Sequence, residues 1–148
     1  MWTYKNEPME ALSSFPEGTF GFIYRVVHIP TGKTYIGKKV LFHQKKVKLT
    51  KKELLEYAHV AGRKPAYNLA MKESDWETYY GSNKEIVAIL KEGKHDEFKR
   101  EILHLAPSKK LLTYYETKYL FVYSVLEKPE EFYNDNILGK FFTKDFAQ

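Results

Sequence analysis

Two tyrosines, a glycine and a lysine carry the first chemical signal of this chain. Tyr24 closes the run Gly21-Phe22-Ile23-Tyr24, and Tyr35 follows eleven residues later in Tyr35-Ile36-Gly37. Phe20 to Ile29 is rich in aromatic and β-branched residues and reads as a strand. Pro30-Thr31-Gly32 marks a turn, and Lys33 to Lys39 begins a second strand, so the two form a hairpin. An even-length loop over Pro30 to Lys33 sets Tyr24 opposite Lys39, Val26 opposite Gly37 and His28 opposite Tyr35. Side chains alternate along strands, which puts all six on one face. Gly37 opens a gap between the phenols, and two phenols with an ammonium around a gap suit a phosphate group. The ordinary alternative stays open: tyrosine is a favoured strand residue, and glycine in a strand marks a bulge.

The second signal is a carboxylate in an apolar setting. Pro107 and Ser108 open a long helix that runs from Lys109 to about Leu126. Its buried stripe is Leu112, Tyr115, Tyr119, Leu120 and Tyr123, and Glu116 sits on or beside it. A carboxylate there is costly unless it is paired or binds a metal. A Glu at the stripe edge meeting a Lys is the plain alternative.

These residues need a scaffold. Residues 1–18 read as an irregular lead-in with Pro8, Pro16 and Gly18. Residues 40–74 form a basic insertion between the hairpin and the rest of the domain. Within it Thr50, with Glu53 three residues on, caps a short helix from Lys51 to about His59, and Gly62 to Asn68 reads as loop. Ser74 starts a single helical turn. Ser82 caps a further helix with Glu85, and Gly93 ends it. Phe98 to Ala106 is a third strand, and residues 139–148 form a tail. The order gives a small α/β (α+β) domain, a three-stranded antiparallel or mixed sheet flanked by helices, spanning the whole of 1–148.

Composition narrows the chemistry. The chain has 148 residues, 43% hydrophobic and 29% charged, which is the make-up of one globular domain. It has no cysteine, which excludes disulfides, Cys-type zinc sites and a Cys nucleophile. The five histidines show no zinc-enzyme spacing. Neither a signal peptide nor a membrane span is visible, so a cytoplasmic setting is expected. The net charge of +5 is concentrated: from Gly18 through Lys52 there is no Asp or Glu, while Arg25, Lys33, Lys38, Lys39, Lys45, Lys46, Lys48, Lys51 and Lys52 all fall there. Such a block is an electrostatic footprint for a polyanion, or a solvated lysine-rich loop.

The paired motif, Ile23-Tyr24 with Gly21 two places before it and the intact Tyr35-Ile36-Gly37, resembles the signature of the GIY-YIG nuclease family. Trp76 to Lys84, with Tyr79-Tyr80-Gly81-Ser82-Asn83-Lys84, and Phe98 to Leu103 look like members from phages and mobile elements, of the homing-endonuclease type. The likeness covers about residues 20–138. It implies a metal-dependent DNA endonuclease with double-stranded DNA as partner, acting as a monomer or homodimer, in a bacterial host cell if phage-encoded.

Residue by residue, the resemblance implies that Glu116 holds a single Mg²⁺ or Mn²⁺. Tyr24 is then the general base, assisted by Tyr35, with Lys39 placed to favour its phenolate. Asn134, in Tyr133-Asn134, matches the family's asparagine, with Asn136 as a nearby alternative. Gly21 and Gly37 are structural, and Lys38, Lys45, Lys46 and Lys48 are expected to contact DNA. The family's arginine has no direct counterpart: the usual spacing gives Lys45, the next arginine is Arg63, and Lys84 is a third candidate. Two other readings compete: a non-catalytic nucleic-acid-binding module that keeps the fold, and an RNA-associated protein whose aromatics stack on bases.

Overall fold

The computed structural model describes residues 1–58, 62 and 67–147. The chain opens with a tight hairpin, Trp2–Tyr4 (β1) and Glu7–Met9 (β2), so the lead-in expected to be irregular is part of the sheet. Its turn places Lys5 and Asn6 both at positive φ, 50° and 69°, which matches the twist of a two-residue hairpin. Gly21–His28 (β3) and Thr34–Val40 (β4) are the anticipated central hairpin.

Phe42–Lys48 (β5), Lys51–Glu56 (α1) and Tyr67–Glu73 (β6) follow. Thr50 caps α1 through the capping box seen in the sequence, its hydroxyl accepting from the Glu53 amide. After one turn of helix at Trp76–Thr78 come Lys84–Lys91 (α2), Phe98–Ala106 (β7) and Lys109–Val122 (α3). Asn136–Ile137 (β8) and Phe141–Phe142 (β9) make a small closing ladder within the tail.

The main sheet has five strands in the order β2-β1-β7-β3-β4, not three. β1 runs parallel to β7, and the other pairs are antiparallel, so the sheet is mixed and the fold is of the α+β kind. The extra strands are only three residues each, and Pro8 lies in one of them, which hides them from any strand pattern. Their anchor is Trp2, 1% exposed, whose indole Nε1 donates to the Trp76 carbonyl at 2.7 Å.

Each face of the sheet buries a layer. On one face Ile23 and Ile36 pack against Leu112 and Leu120 of α3, with Val125, Leu126 and Ile137. On the other, Phe22 and Tyr24 pack against Trp2, with Phe15 and Trp76 beside them. α3 stops earlier than expected, at Val122. Ser124 adopts the left-handed conformation, φ 52°, and this turns the apolar Val125 and Leu126 back into the core.

β4 is an edge strand, and its outer side is covered. The Thr34 amide donates to the Glu131 carbonyl at 2.9 Å, and the Tyr133 amide donates to the Thr34 carbonyl at 2.8 Å. The chain divides into two compact units, Met1–Leu41 with Asp75–Gln148, and Phe42–Ser74. The second is a two-stranded antiparallel ribbon of β5 and β6 with α1 between them in sequence. Among the described residues no helix is long and apolar enough to cross a membrane.

Candidate active site

The hairpin register differs from the expected one by two residues. Tyr24 lies opposite Gly37, Val26 opposite Tyr35, and Phe22 opposite Lys39. The four-residue turn begins one residue early: the His28 amide donates to the Lys33 carbonyl at 2.9 Å, and Gly32, at φ 73°, closes onto the His28 carbonyl. A slip of two leaves the faces unchanged, so Tyr24, Tyr35, Gly37 and Lys39 still share one face. On the β7 side the pairing skips a residue between Ile23 and Tyr24, a bulge that breaks the ladder beside the buried phenol.

The direct pairing explains Gly37. A Cβ there would stand 2.5 Å from the Tyr24 hydroxyl oxygen and 3.1 Å from the Tyr35 ring. Gly21 is needed for another reason: a Cβ would meet the Lys39 carbonyl at 2.5 Å and Leu112 at 3.0 Å, where strand and α3 approach closely. Tyr24 is 1% exposed. Burial, then the neighbouring Tyr79 and Tyr35, push its phenol well above the usual range. Burial raises Tyr35 as well, although a hydrogen bond from Ser82 opposes this.

Lys39 does not lie opposite Tyr24, as the expected register placed it. Two residues out of that position, its ammonium pairs with the Asp75 carboxylate at 2.5 Å and lies 3.9 Å over the Tyr79 ring. The ammonium beside the candidate metal ligand is Lys38, from the opposite face of β4. Lys38 Nζ lies 3.9 Å from Glu116 Oε1 and donates to Thr113 Oγ1 at 3.1 Å.

Glu116 projects from α3, whose Leu112 and Leu120 are buried below it, and its side chain is 21% exposed. Burial raises its carboxyl above the ordinary glutamate value, and Lys38 pulls the other way. Glu116 lines a cavity of about 140 Å³ together with Tyr35, Ile36, Asn134, Asp135 and Asn136. The acid therefore comes from the α3 side of the sheet and the phenols from the other side. They draw together around β4, where Glu116 and Tyr35 line the same cavity.

Asn134 holds that edge in place. Its buried side chain accepts from the Ile36 amide at 3.0 Å and donates to the Ile36 carbonyl at 2.8 Å, completing the edge of β4 as a neighbouring strand would. Asn136 instead donates to its neighbour Asp135 and accepts from the Gly139 amide, as a turn residue does.

A larger cavity of about 590 Å³ flanks Tyr35 on the α2 side, lined among others by Lys33, Ser82, Asn83, Lys84 and Tyr133. The helix cap differs from expectation here. Asn83, not Ser82, caps α2, its Oδ1 accepting from the Glu85 and Ile86 amides. Ser82 lines the same cavity as Tyr35. Lys84, the first residue of α2, borders this cavity.

Of the other expected cations, Lys45, Lys46 and Lys48 are exposed on β5 in the Phe42–Ser74 unit. Arg63 lies outside the described residues. Sequence reasoning missed Tyr79, Gly81 and Ser82 as site neighbours. Gly81 was the available signal: at φ 100° it adopts a conformation that favours glycine, and a Cβ would meet Tyr35 at 3.2 Å and the Tyr24 hydroxyl at 3.3 Å.

No curated protein and no solved structure matches the chain. A family model does, described as "Putative endonuclease segE, GIY-YIG domain", over residues 2–137. The match takes in the β1–β2 hairpin as well as both halves of the tyrosine motif, α3 and Asn134. The chain belongs to the GIY-YIG endonuclease-domain family.

Proposed function

We propose that this protein is a metal-dependent endonuclease that hydrolyses DNA phosphodiester bonds through one divalent ion and a tyrosine base. The observation that carries this reading is the convergence of a half-buried carboxylate and two phenols around β4, with a cavity between Glu116, Tyr35 and Asn134. Binding alone has no use for a carboxylate whose burial is unfavourable.

The residues fit a water-rich ion. Among the described residues no cluster of three acidic or histidine side chains exists, so an all-protein cage is absent. One carboxylate beside side-chain amide and carboxylate oxygens suits Mg²⁺ or Mn²⁺, which keeps several waters and takes a substrate phosphate. Glu116 would hold the ion, which when bound neutralises the phosphate and stabilises the leaving oxygen.

The chain's own groups supply the rest. Tyr24 would take the proton of the attacking water as its phenolate, its own hydroxyl proton having first passed to solvent. Tyr35, which borders both cavities, orients that water and the phosphate. Lys84 and Lys33 offer cations to the strand beside Tyr35, with Arg63 a further candidate. Asn134 keeps β4 in register beneath the site. Lys38 compensates Glu116 before the ion arrives and contacts the backbone after it. The exposed lysines of β5 add sequence-independent affinity for DNA.

A second reading, a binding module without catalysis, has one observation in its favour. No arginine lines either cavity among the described residues, and Tyr24 is held neutral. Incubation with supercoiled plasmid and Mg²⁺ separates the two. Nicked or linear product from the wild type and none from Glu116→Ala is the expected result. Plasmid left intact by both, with retardation of the DNA, sustains the binding module instead.

A further inference from the structure

The net charge of the chain sits in one of its two units. The Phe42–Ser74 stretch holds eight basic residues against three glutamates, a surplus of five that equals the net charge of the whole chain. The other 115 residues balance at sixteen basic and sixteen acidic. Long-range attraction of a polyanion therefore centres on this unit.

The shape of the unit is as informative as its charge. β5 and β6 pair over seven positions without a bulge, and no residue of β5 is buried. Both alternating sets of β5, His43-Lys45-Val47 and Gln44-Lys46-Lys48, are exposed. A two-stranded ribbon is marginal in water without a packed face, which leaves a face here for a partner. Seven residues at about 3.3 Å each give a ribbon about 23 Å long, with strands about 4.8 Å apart. The B-form major groove, about 12 Å wide, admits a two-stranded ribbon, and the minor groove, about 6 Å wide, does not.

The two faces of the ribbon differ. On one, His43 pairs with Lys72 and Lys45 with the small Ala70, and Val47 follows. Among the described residues this face holds no carboxylate, whereas the other includes Glu73, opposite Phe42. Ammonium and imidazole N–H groups can donate to guanine O6 and N7, and a valine suits the methyl of thymine. Neighbours on one strand face stand about 6.6 Å apart, close to two base-pair steps of about 3.4 Å.

We infer that β5 and β6 form a recognition ribbon that enters the major groove of duplex DNA with the His43–Lys45–Lys72 face toward the base edges. The ribbon thereby supplies sequence preference, beyond the general attraction of its lysines. The inference rests on duplex DNA being the substrate and is independent of how the phosphodiester is cut.

The test uses the full chain without metal, so that DNA is bound and not cut. A binding sequence is enriched from a pool of random duplexes and then footprinted with dimethyl sulfate. The reagent methylates guanine N7 in the major groove and adenine N3 in the minor groove. The expected result is an enriched sequence with N7 protected and N3 reactive. His43→Ala and Lys72→Ala, both at exposed positions, should keep the fold and expose N7 again. Each should lower the preference for that sequence over random duplex by about fivefold to 150-fold. Duplex RNA of the same sequence should bind at least about tenfold more weakly, because side chains cannot read its deep, narrow major groove.

No enriched sequence, protection confined to N3, or RNA bound as tightly as DNA overturns the proposal. Preference and footprint unchanged in both variants overturn it too, since the sequence is then read elsewhere. Cleavage of supercoiled plasmid with Mg²⁺ is scored separately. Glu116-dependent cleavage alongside any of those failures removes the ribbon's role and keeps the endonuclease. An N7 footprint from a chain that leaves plasmid intact removes the endonuclease and keeps the ribbon's role.

Discussion

The two antiparallel pairs β3–β4 and β5–β6 each match seven residue pairs, yet they are opposite kinds of structure. Six of the eight residues of β3 are buried, whereas six of the seven in β5 are exposed. β3 has neighbours on both edges and packed layers on both faces. β5 has one partner strand and carries Lys45, Lys46 and Lys48 into solvent. The contrast separates two tasks that a nucleic-acid enzyme must perform. Chemistry needs side chains held to a fraction of an ångström in a site of low dielectric. Attraction to a polyanion needs only charge, and is better served where water and rearrangement are cheap. The basic block looks continuous in the sequence, but the fold divides it between the two units.

Substitutions in each pair test that division. The largest effect belongs to Glu116→Ala, which should lower plasmid cleavage by at least about a thousandfold, the several kcal/mol that a bound ion supplies. Its far-ultraviolet circular dichroism should match the wild type, and retained cleavage would end the metal assignment. Asn134→Ala should come next. It leaves the buried amide and carbonyl of Ile36 without partners, at a cost of about 2–4 kcal/mol read from the urea midpoint. An unchanged midpoint would mean that water replaces the clamp.

Replacing Lys45, Lys46 and Lys48 together by alanine should leave the fold and cleavage at low salt intact. The slope of log affinity against log salt should become shallower by up to about 2.7, roughly 0.9 for each phosphate that a lysine no longer neutralises. An unaltered slope would take the ribbon out of DNA binding. The smallest effect is on stability through Glu116. Burial raises its folded-state pKa, so it contributes stability fully below its unfolded pKa and loses it as pH rises through the folded value. Glu116→Gln should therefore melt above the wild type at pH 7, with the advantage vanishing by about pH 4, near the unfolded glutamate value. A constant offset across that range would place the effect in packing, not charge.

Much of the buried pair was legible and little of its surroundings was. The aromatic and β-branched run from Phe20 to Ile29 announces β3, which spans Gly21–His28, and the even turn fixes which residues share its face. A slip of two in register leaves that face intact but moves Lys39 from Tyr24 to Phe22, which is why its partner was misjudged. Glu116 was visible because an acid in the Leu112–Leu120 stripe violates helix amphipathicity. The β1–β2 hairpin was not, because three-residue strands carry no periodicity and its turn lacks glycine. Tyr79 stands in a recognisable motif but carries no spacing signal. Its relation to Tyr24 depends on a contact across 55 positions of chain, which only the folded molecule provides.

The indole of Trp2 bonded to the carbonyl of Trp76 has an optical consequence. These are the only two tryptophans in the chain, both fully buried, and both belong to the layer that holds Phe22 and Tyr24. Excitation at the red edge of the protein band therefore illuminates one place. Emission from the native protein should be blue and should report the packing behind the phenols, while the Phe42–Ser74 unit stays dark. Unfolding of the ribbon alone would pass unseen by fluorescence yet appear in amide exchange. A mismatch between those two melting curves would show the two units coming apart in separate steps.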